Sequence, residues 1–287
     1  MSESDNPYPL RATIVIATRD RQHDIMACLA SLDPEALAAR EVEIIVVDDA
    51  SEDDTVAVIG EFFPAVHILR NHLPRGASFS RNRGSREALG KLLLYLDSDG
   101  EVAPGWIDAM LDHDDGETVL LGNVVDHASG RVQGVPRRAT FIGKSLRCRP
   151  ARANTGPSCN LGFPHAVFER IGGFDHDLPY YFEDSDLCIR ARMAGARFCF
   201  VEEAVFRHKG SERKRGQAIR LQEEHSTLAM LKNYADRPWV RRAFSLLNGM
   251  WLFTRLILWG LRGRFGDARR LWRGWRNAYR RFNDHTA

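Results

Sequence analysis

Over the first hundred residues the chain alternates between two hydrophobic rhythms. Ala12–Thr18 (ATIVIAT), Val42–Asp49 (VEIIVVDD), Val66–Arg70 and Lys91–Leu96 (KLLLYL) are short, nearly continuous apolar runs. They are too short for stable helices, and each predicts a buried strand. Between them Asp24–Leu32, Asp53–Phe62 and Ser80–Ala88 have helical character. Strands apolar on both faces and separated by short helices predict an α/β fold, with a mostly parallel central sheet flanked by helices. Such sheets bind ligands beyond the carboxyl ends of their strands. The polar residues gather there, as Thr18-Arg19-Asp20, Asp48-Asp49 and Asp97-Ser98-Asp99.

After Gly100 the rhythm loosens. Thr118–Val125 predicts a strand, Phe163–Ile171 a helix broken by Gly172-Gly173, Ser185–Ala194 a helix and Ala196–Val205 another strand. Arg131–Pro157 is basic, holds Gly and Pro, and has no period; it reads as a loop region near the site. From Gln217 onward the pattern is helical, and no internal repeat is present.

A length of 287 residues allows one large or two small domains, and 44% hydrophobic residues suffice for a core. The formal net charge is only +2, so nucleic acid is not an expected partner. The charge is unevenly spread, however. From Arg237 onward twelve arginines are opposed nearby only by Asp236, Asp267 and Asp284, which suggests an acidic surface as partner of this end. Cys28, Cys148, Cys159, Cys188 and Cys199 are odd in number and form no CxxC pair. They read as reduced, mostly buried thiols of a cytoplasmic protein. Met1–Pro9 is polar and acidic without an apolar h-region, so no signal peptide is expected.

The candidate chemistry lies at the strand ends. Asp97 and Asp99 flank Ser98 after a buried strand, and paired carboxylates can hold Mg²⁺ or Mn²⁺ against phosphate oxygens. Asp48-Asp49 ends the second strand, where a carboxylate can accept from a nucleobase imide N–H; Ser51 or Asp53 would cap the helix that follows. Arg81 and Arg83 bring bidentate donors toward an expected diphosphate. Glu183, Asp184 and Asp186 open a helix, where the dipole favours acids. Tyr180, Tyr181 and Phe182 make that approach partly apolar, which can raise a carboxyl pKa and suit it to act as a base. His208, at the end of the last strand, could complete a metal shell.

Taken in order, IVIATRDR, VVDDASEDDT, GASFSRNRG, LYLDSDG and GGFD…YYFEDSDLCIR resemble the family 2 glycosyltransferases, which have the GT-A fold. The resemblance spans Thr13 to His208. It implies that Thr18 and Arg19 touch the nucleoside and that one of Asp48 and Asp49 reads the base. Arg81 and Asn82 match the family's ARN triplet, with Ser80 in place of Ala. Asp97 and Asp99, with Ser98 between them, match the metal-binding DxD, which here continues with Gly100 where another acid is usual. Asp184 matches the general base. His208, 24 residues further on, matches a third metal ligand of several members. Trp106 resembles a position lining the sugar site.

The implied activity is metal-dependent inverting transfer from a nucleotide-diphospho-sugar to an acceptor hydroxyl, with Mn²⁺ or Mg²⁺. The implied organisation is a catalytic domain over residues 1–215, with a nucleotide-binding half at about 10–100 and an acceptor half at about 101–215. A basic helical extension covers 216–287. A nucleotidyltransferase would want a Gly- and Lys-rich loop that ATRDRQHD does not supply. An inactive nucleotide-sugar-binding scaffold of the same fold would not need Asp97, Asp99, Asp184 and His208 intact.

Ala243–Leu261 (AFSLLNGMWLFTRLILWGL) approaches membrane-spanning length but contains Asn248 and Arg255. With the Trp- and Arg-rich segment Asp267–Phe282 it reads as a basic helical pair lying on an anionic leaflet. A single span is the second reading, and a hairpin packed on the catalytic domain or on a second subunit of a homo-oligomer the third. A membrane-surface site suits a glycan or glycolipid acceptor in cell-envelope assembly, on the inner face of the cell membrane.

Overall fold

The computed structural model describes residues 7–133, 136–210 and 215–286. Met1–Asn6, most of the Met1–Pro9 segment, lie outside the described residues. The first unit is built from β1 (Leu10–Thr18), α1 (Gln22–Leu32), α2 (Pro34–Ala38), β2 (Val42–Asp48), α3 (Thr55–Phe62), β3 (His67–Arg70), α4 (Ala77–Glu87) and β4 (Gly90–Asp97). β3, β2, β1 and β4 are parallel neighbours. The register pairs Thr18 with Asp48 and Ala17 with Asp97, so the polar strand ends lie along one edge.

Side-chain alternation divides the core in two. Ile14, Ile16, Ile44, Val46, Leu92 and Leu94 belong to one buried cluster. Val15, Ile45, Val47, Leu93 and Tyr95 belong to the other. Both faces are therefore covered, which is why these runs read as continuously apolar rather than alternating. Deleting one such side chain, as in Leu94→Ala, costs about 2–5 kcal/mol.

The second unit contains β5 (Gly100–Val102), α5 (Trp106–Asp112), β6 (Thr118–Asp126), β7 (Arg137–Ala139), β8 (Ser145–Arg147), β9 (Asn160–Pro164), α6 (His165–Arg170), α7 (Glu183–Met193) and β10 (Arg197–His208). Here the structure corrects the sequence reading. The apolar start of the expected Phe163–Ile171 helix belongs to β9, which lies antiparallel between β4 and β6; the helix itself begins at His165. A buried strand and a buried helix turn have the same short apolar signature. The expected loop Arg131–Pro157 carries the β7–β8 hairpin, and residues 134–135 lie outside the described residues. β7 and β8 form a separate two-stranded sheet, and the other eight strands form one mixed sheet, ordered β3-β2-β1-β4-β9-β6-β10-β5.

That order forces a curl. In a flat sheet β4 and β5 would stand four strand spacings apart, about 19 Å. Only Ser98 and Asp99 separate their ends, and three residue steps reach about 11 Å at most. The sheet bends so that its β10-β5 edge returns to the end of β4. Gly100 permits the return, since a Cβ there would lie 2.4 Å from the Phe206 ring. β5 pairs antiparallel with β10, placing Gly100 opposite His208. Asn160, fully buried, holds the irregularity of β10 between Val201 and Val205: its amide donates to Asn123 O at 2.9 Å and Ala204 O at 2.8 Å.

Three long helices follow, α8 (Arg215–Asn233), α9 (Pro238–Leu261) and α10 (Phe265–Thr286). Leu228 and Leu231 of α8, Val240 and Phe244 of α9, and Ala278 and Phe282 of α10 form one core with Leu178 and Ile189. α9 is two-sided. Val240, Phe244, Asn248, Leu252 and Trp259 are buried, whereas Leu246, Leu247, Met250, Phe253, Ile257, Leu258 and Leu261 are exposed. By length and composition α9 could cross a membrane.

Candidate active site

A cavity of about 710 Å³ opens at the carboxyl ends of the strands and is lined by Thr18, Arg19, Asp49, Arg81, Asp97, Ser98, Asp99, Asp184 and His208. Nine of the expected site residues thus share one space. Three do not. Asp48 is fully buried; its carboxylate accepts from Ser51 N at 3.1 Å and pairs with Arg70 at 3.3 Å. The Asn82 amide donates to Phe174 O and accepts from Phe174 N, both at 2.8 Å, so it ties α4 to the segment after Gly173. Trp106 is 1% exposed and its indole N–H donates to Asn160 at 2.9 Å; it belongs to the core, not to the cavity wall. In each case a polar group satisfied inside the fold has little left to offer a ligand.

Of the adjacent acids only Asp49 reaches the cavity, as strand alternation requires. Its carboxylate accepts from Gly76 N and Arg75 N at 2.8 Å, and from Asn71 Nδ2 at 2.8 Å. Gly76, with φ of 88° at the start of α4, makes this approach possible.

The curl of the sheet assembles the acidic end. The His208 Nε2 lies 3.1 Å from Asp99 Oδ1 and 3.7 Å from Asp97 Oδ2. Asp97, His208 and Cys159 each bring a ligand atom within 4.8 Å of the others. Burial alone would lower the His208 pKa, but the hydrogen bond to Asp99 and the charges of Asp97 and Asp99 outweigh it and raise it. Burial would raise Asp99; His208 and Arg21, the latter 3.8 Å away, hold it below the ordinary range instead. Carboxylate oxygens and an imidazole converging at a cavity wall fit a divalent cation of the Mn²⁺ or Mg²⁺ type. Burial and the charge of Asp97 keep the Cys159 thiol well above its usual pKa, so it stays protonated. It borders the site as a neutral neighbour.

Arg81 bridges the two ends of the cavity. It is 4% exposed and donates to Asp97 at 2.8 Å and to Glu183 at 3.3 Å. Burial would depress its pKa, yet the flanking carboxylates raise it. Beyond it α7 begins in a strained turn, with Tyr181 and Phe182 both at positive φ, 64° and 70°. Non-glycine residues hold this conformation at a cost, where surrounding contacts enforce it. His225 Nδ1 contacts Tyr180 O and Tyr181 O, and Phe182 sits in the apolar core. The turn delivers Asp184 to the cavity. Burial first, and the neighbouring Glu183 second, push its carboxyl up to about 7. Asp186 points elsewhere, pairing with Arg190 at 2.7 Å and Asn233 at 2.9 Å.

The sequence reading missed Arg21, Cys159, Arg137 and Gln222, all at the cavity wall. Arg21 had a visible signal, since it follows Thr18-Arg19-Asp20. Gln222 had none, because helix packing brings it in; Arg137 belongs to the basic segment Arg131–Pro157 expected near the site, but nothing local singled it out.

The family model for glycosyl transferase family 2 matches residues 13–173. The chain is 23% identical over 256 residues to the glycosyltransferase AglE of Haloferax volcanii, covering 85% of this chain and 81% of that protein. It is 27% identical over 209 residues to the pre-mycofactocin glycosyltransferase of Mycobacterium tuberculosis, covering 68% of this chain but only 42% of that protein. Among solved structures, the mannosyltransferase PcManGT of Pyrobaculum calidifontis, in complex with GDP-Man and Mn²⁺, superimposes with a TM-score of 0.59 at 17% identity. That likeness covers 94% of this chain and 90% of the other. Asp184 and His208 lie beyond the family match, and their placement in the site rests on the geometry.

Proposed function

Because the chain belongs to glycosyl transferase family 2 and has the GT-A fold, we propose that it transfers a sugar, with inversion, from a nucleotide-diphospho-sugar to an acceptor hydroxyl. The observation that carries this reading is the convergence of Asp97, Asp99 and His208 in the same cavity as Asp184, with Arg81 between them. Asp97, Asp99 and His208 would hold Mn²⁺ or Mg²⁺. Bound there, the cation supplies Lewis-acid stabilisation of charge on the leaving diphosphate.

The remaining steps belong to the chain's own side chains. Asp49 reads the base, with Thr18 and Arg19 against the nucleoside. Asp184, ionised, accepts the proton of the acceptor hydroxyl as its oxygen attacks the anomeric carbon from the face opposite the diphosphate. A carboxyl pushed toward neutrality is matched to that task. Arg81 lies where a fixed guanidinium can stabilise the departing phosphate oxygens, and two carboxylates hold it in place.

The acceptor is a glycan or glycolipid of cell-envelope assembly, met on the cytoplasmic face of the membrane. The basis is the exposed apolar face of α9 beside numerous arginines, the composition of a helix lying on an anionic leaflet. Thermal-shift screening of the full chain against UDP-, dTDP- and GDP-sugars with Mn²⁺ tests the donor reading, since a ligand of the native state raises apparent stability. One nucleotide-sugar should stabilise the chain in a metal-dependent way and be hydrolysed slowly. No stabilisation by any of them would refute sugar transfer.

A further inference from the structure

A second cavity, of about 440 Å³, adjoins the first. Its walls are the β7–β8 hairpin, the start of α7, and α8, α9 and α10. The two cavities share Arg137, Ser145, Phe182, Ser185 and Gln222, so they meet at the first turn of α7, beside Asp184.

The charge of this second space is one-sided. Arg137, Lys144, Arg255 and Arg264 line it against a single carboxylate, Glu223. Lys144 already engages Glu223 at 2.8 Å, and Arg264 engages Asp267 at 2.7 Å. Arg137 and Arg255 have no carboxylate within 4.0 Å among the described residues. Both are nonetheless held in place. Arg137 donates to Ser145 Oγ and Ser145 O, each at 2.8 Å. Arg255 lies 5.4 Å from the Trp251 ring centroid and 4.7 Å from that of Trp259, which also line the cavity. Stacking on an aromatic face and donating to neutral oxygens position a guanidinium without cancelling its charge. Two oriented, unneutralised guanidiniums are suited to phosphate oxygens, which they grip through paired donors.

The same helix gives the space its second property. Arg255, Trp251 and Trp259 come from α9, and Leu247, Phe253, Ile257 and Leu261 of α9 are exposed apolar residues. A ligand with a phosphate in the cavity and a hydrocarbon chain along α9 satisfies both.

We propose that the second cavity is the acceptor subsite and that it takes a lipid carrier bearing a phosphate or diphosphate. The phosphate sits between Arg137 and Arg255, the accepting hydroxyl, on a sugar already joined to that phosphate, reaches Asp184 through the shared opening, and the lipid chain leaves along α9 into the bilayer. This assignment rests on the sugar-transfer reading for Asp184. Phosphate recognition by Arg137 and Arg255 is nevertheless measurable without transfer.

The test is calorimetric titration of the full chain, in neutral-detergent micelles, with farnesyl phosphate, farnesol and inorganic phosphate, beside phosphatidylglycerol vesicles free of any carrier. Farnesyl phosphate should bind saturably, farnesol should not, and inorganic phosphate should compete weakly. Arg255→Gln and Arg137→Gln should each weaken farnesyl phosphate on the order of tenfold. Arg255→Lys, which keeps the charge, should retain more affinity than Arg255→Gln. Equal binding of farnesol, or wild-type affinity in both Gln variants, overturns the proposal. So does displacement of farnesyl phosphate by phosphatidylglycerol vesicles with the same dependence on Arg255, because the cavity would then read bulk headgroups. Nucleotide binding with Mn²⁺, measured on the same wild-type preparation, separates the two readings. If farnesyl phosphate fails while nucleotide binds, only the acceptor assignment falls.

Discussion

At the β4–β5 turn Asp99 faces His208 and Arg21, while at the start of α7 Asp184 has Glu183 as its neighbour and a turn of aromatic residues before it. Burial opposes ionisation at both places. At Asp99 the cationic neighbours outweigh it and hold the carboxyl low. At Asp184 burial prevails and a second acid adds to it. One residue type in one cavity is thereby held in two electrostatic states, which suit the two tasks proposed for them, holding a cation and taking a proton. The backbone sets the difference: a sheet edge curls to bring imidazole to one acid, and a strained turn places the other beside a second acid at the cavity wall.

The largest effect that would break this contrast is on the base. Asp184→Asn should lower transfer by ~10²–10⁴ while nucleotide affinity, read by calorimetry, stays at the wild-type value. Asp186→Asn should instead lower stability through its lost partners Arg190 and Asn233 and leave transfer per folded molecule largely intact. The reverse pattern would move the base to Asp186. Next in size, Asp99→Asn should remove the Mn²⁺-dependent part of UDP or GDP affinity, on the order of tenfold or more, without unfolding the chain. If titrations with and without Mn²⁺ differ in the variant as they do in the wild type, the turn is not a metal site.

A pH profile sharpens the same contrast. The base works ionised, and its raised pKa keeps it protonated up to about 7, so transfer should rise as pH increases through about 7. Glu183→Gln removes a negative neighbour and should shift that limb to lower pH. An unmoved limb would leave burial as the sole cause. The smallest effect concerns α9. Phe253→Ser, on the exposed face, should change stability by no more than about 0.5 kcal/mol yet weaken co-sedimentation with phosphatidylglycerol vesicles. Phe244→Ala, on the buried face, should cost about 3–5 kcal/mol in chemical denaturation.

The sequence was most legible where local pattern and tertiary environment agree. β1, β2 and β4 are covered on both faces, so their apolar runs announced them and their polar ends announced the site. It was least legible where a distant partner decides. β9 looked like the start of a helix because nothing local distinguishes a buried strand wedged between β4 and β6. Asp48 and Asp49 were indistinguishable as neighbours, and only the completed fold seals one behind Arg70 and leaves the other open. Asn82 and Trp106 matched positions in a motif, yet their polar atoms are spent on Phe174 and Asn160. Gln222 carried no local signal at all, and Arg137 only that of the basic segment around it.

The curl that joins Asp99 to His208 also has a kinetic meaning. The two residues lie 109 positions apart in sequence. A contact of that span closes a long loop, and its entropy is recovered only after most of the sheet has formed. The proposed cation site should therefore be completed late, after the rate-limiting barrier to folding. A divalent cation that binds there would stabilise the native state with little effect on the transition state. In stopped-flow experiments, added Mn²⁺ should slow unfolding and leave the refolding rate nearly unchanged, so that retaining the metal lengthens the lifetime of the folded chain more than it hastens its formation.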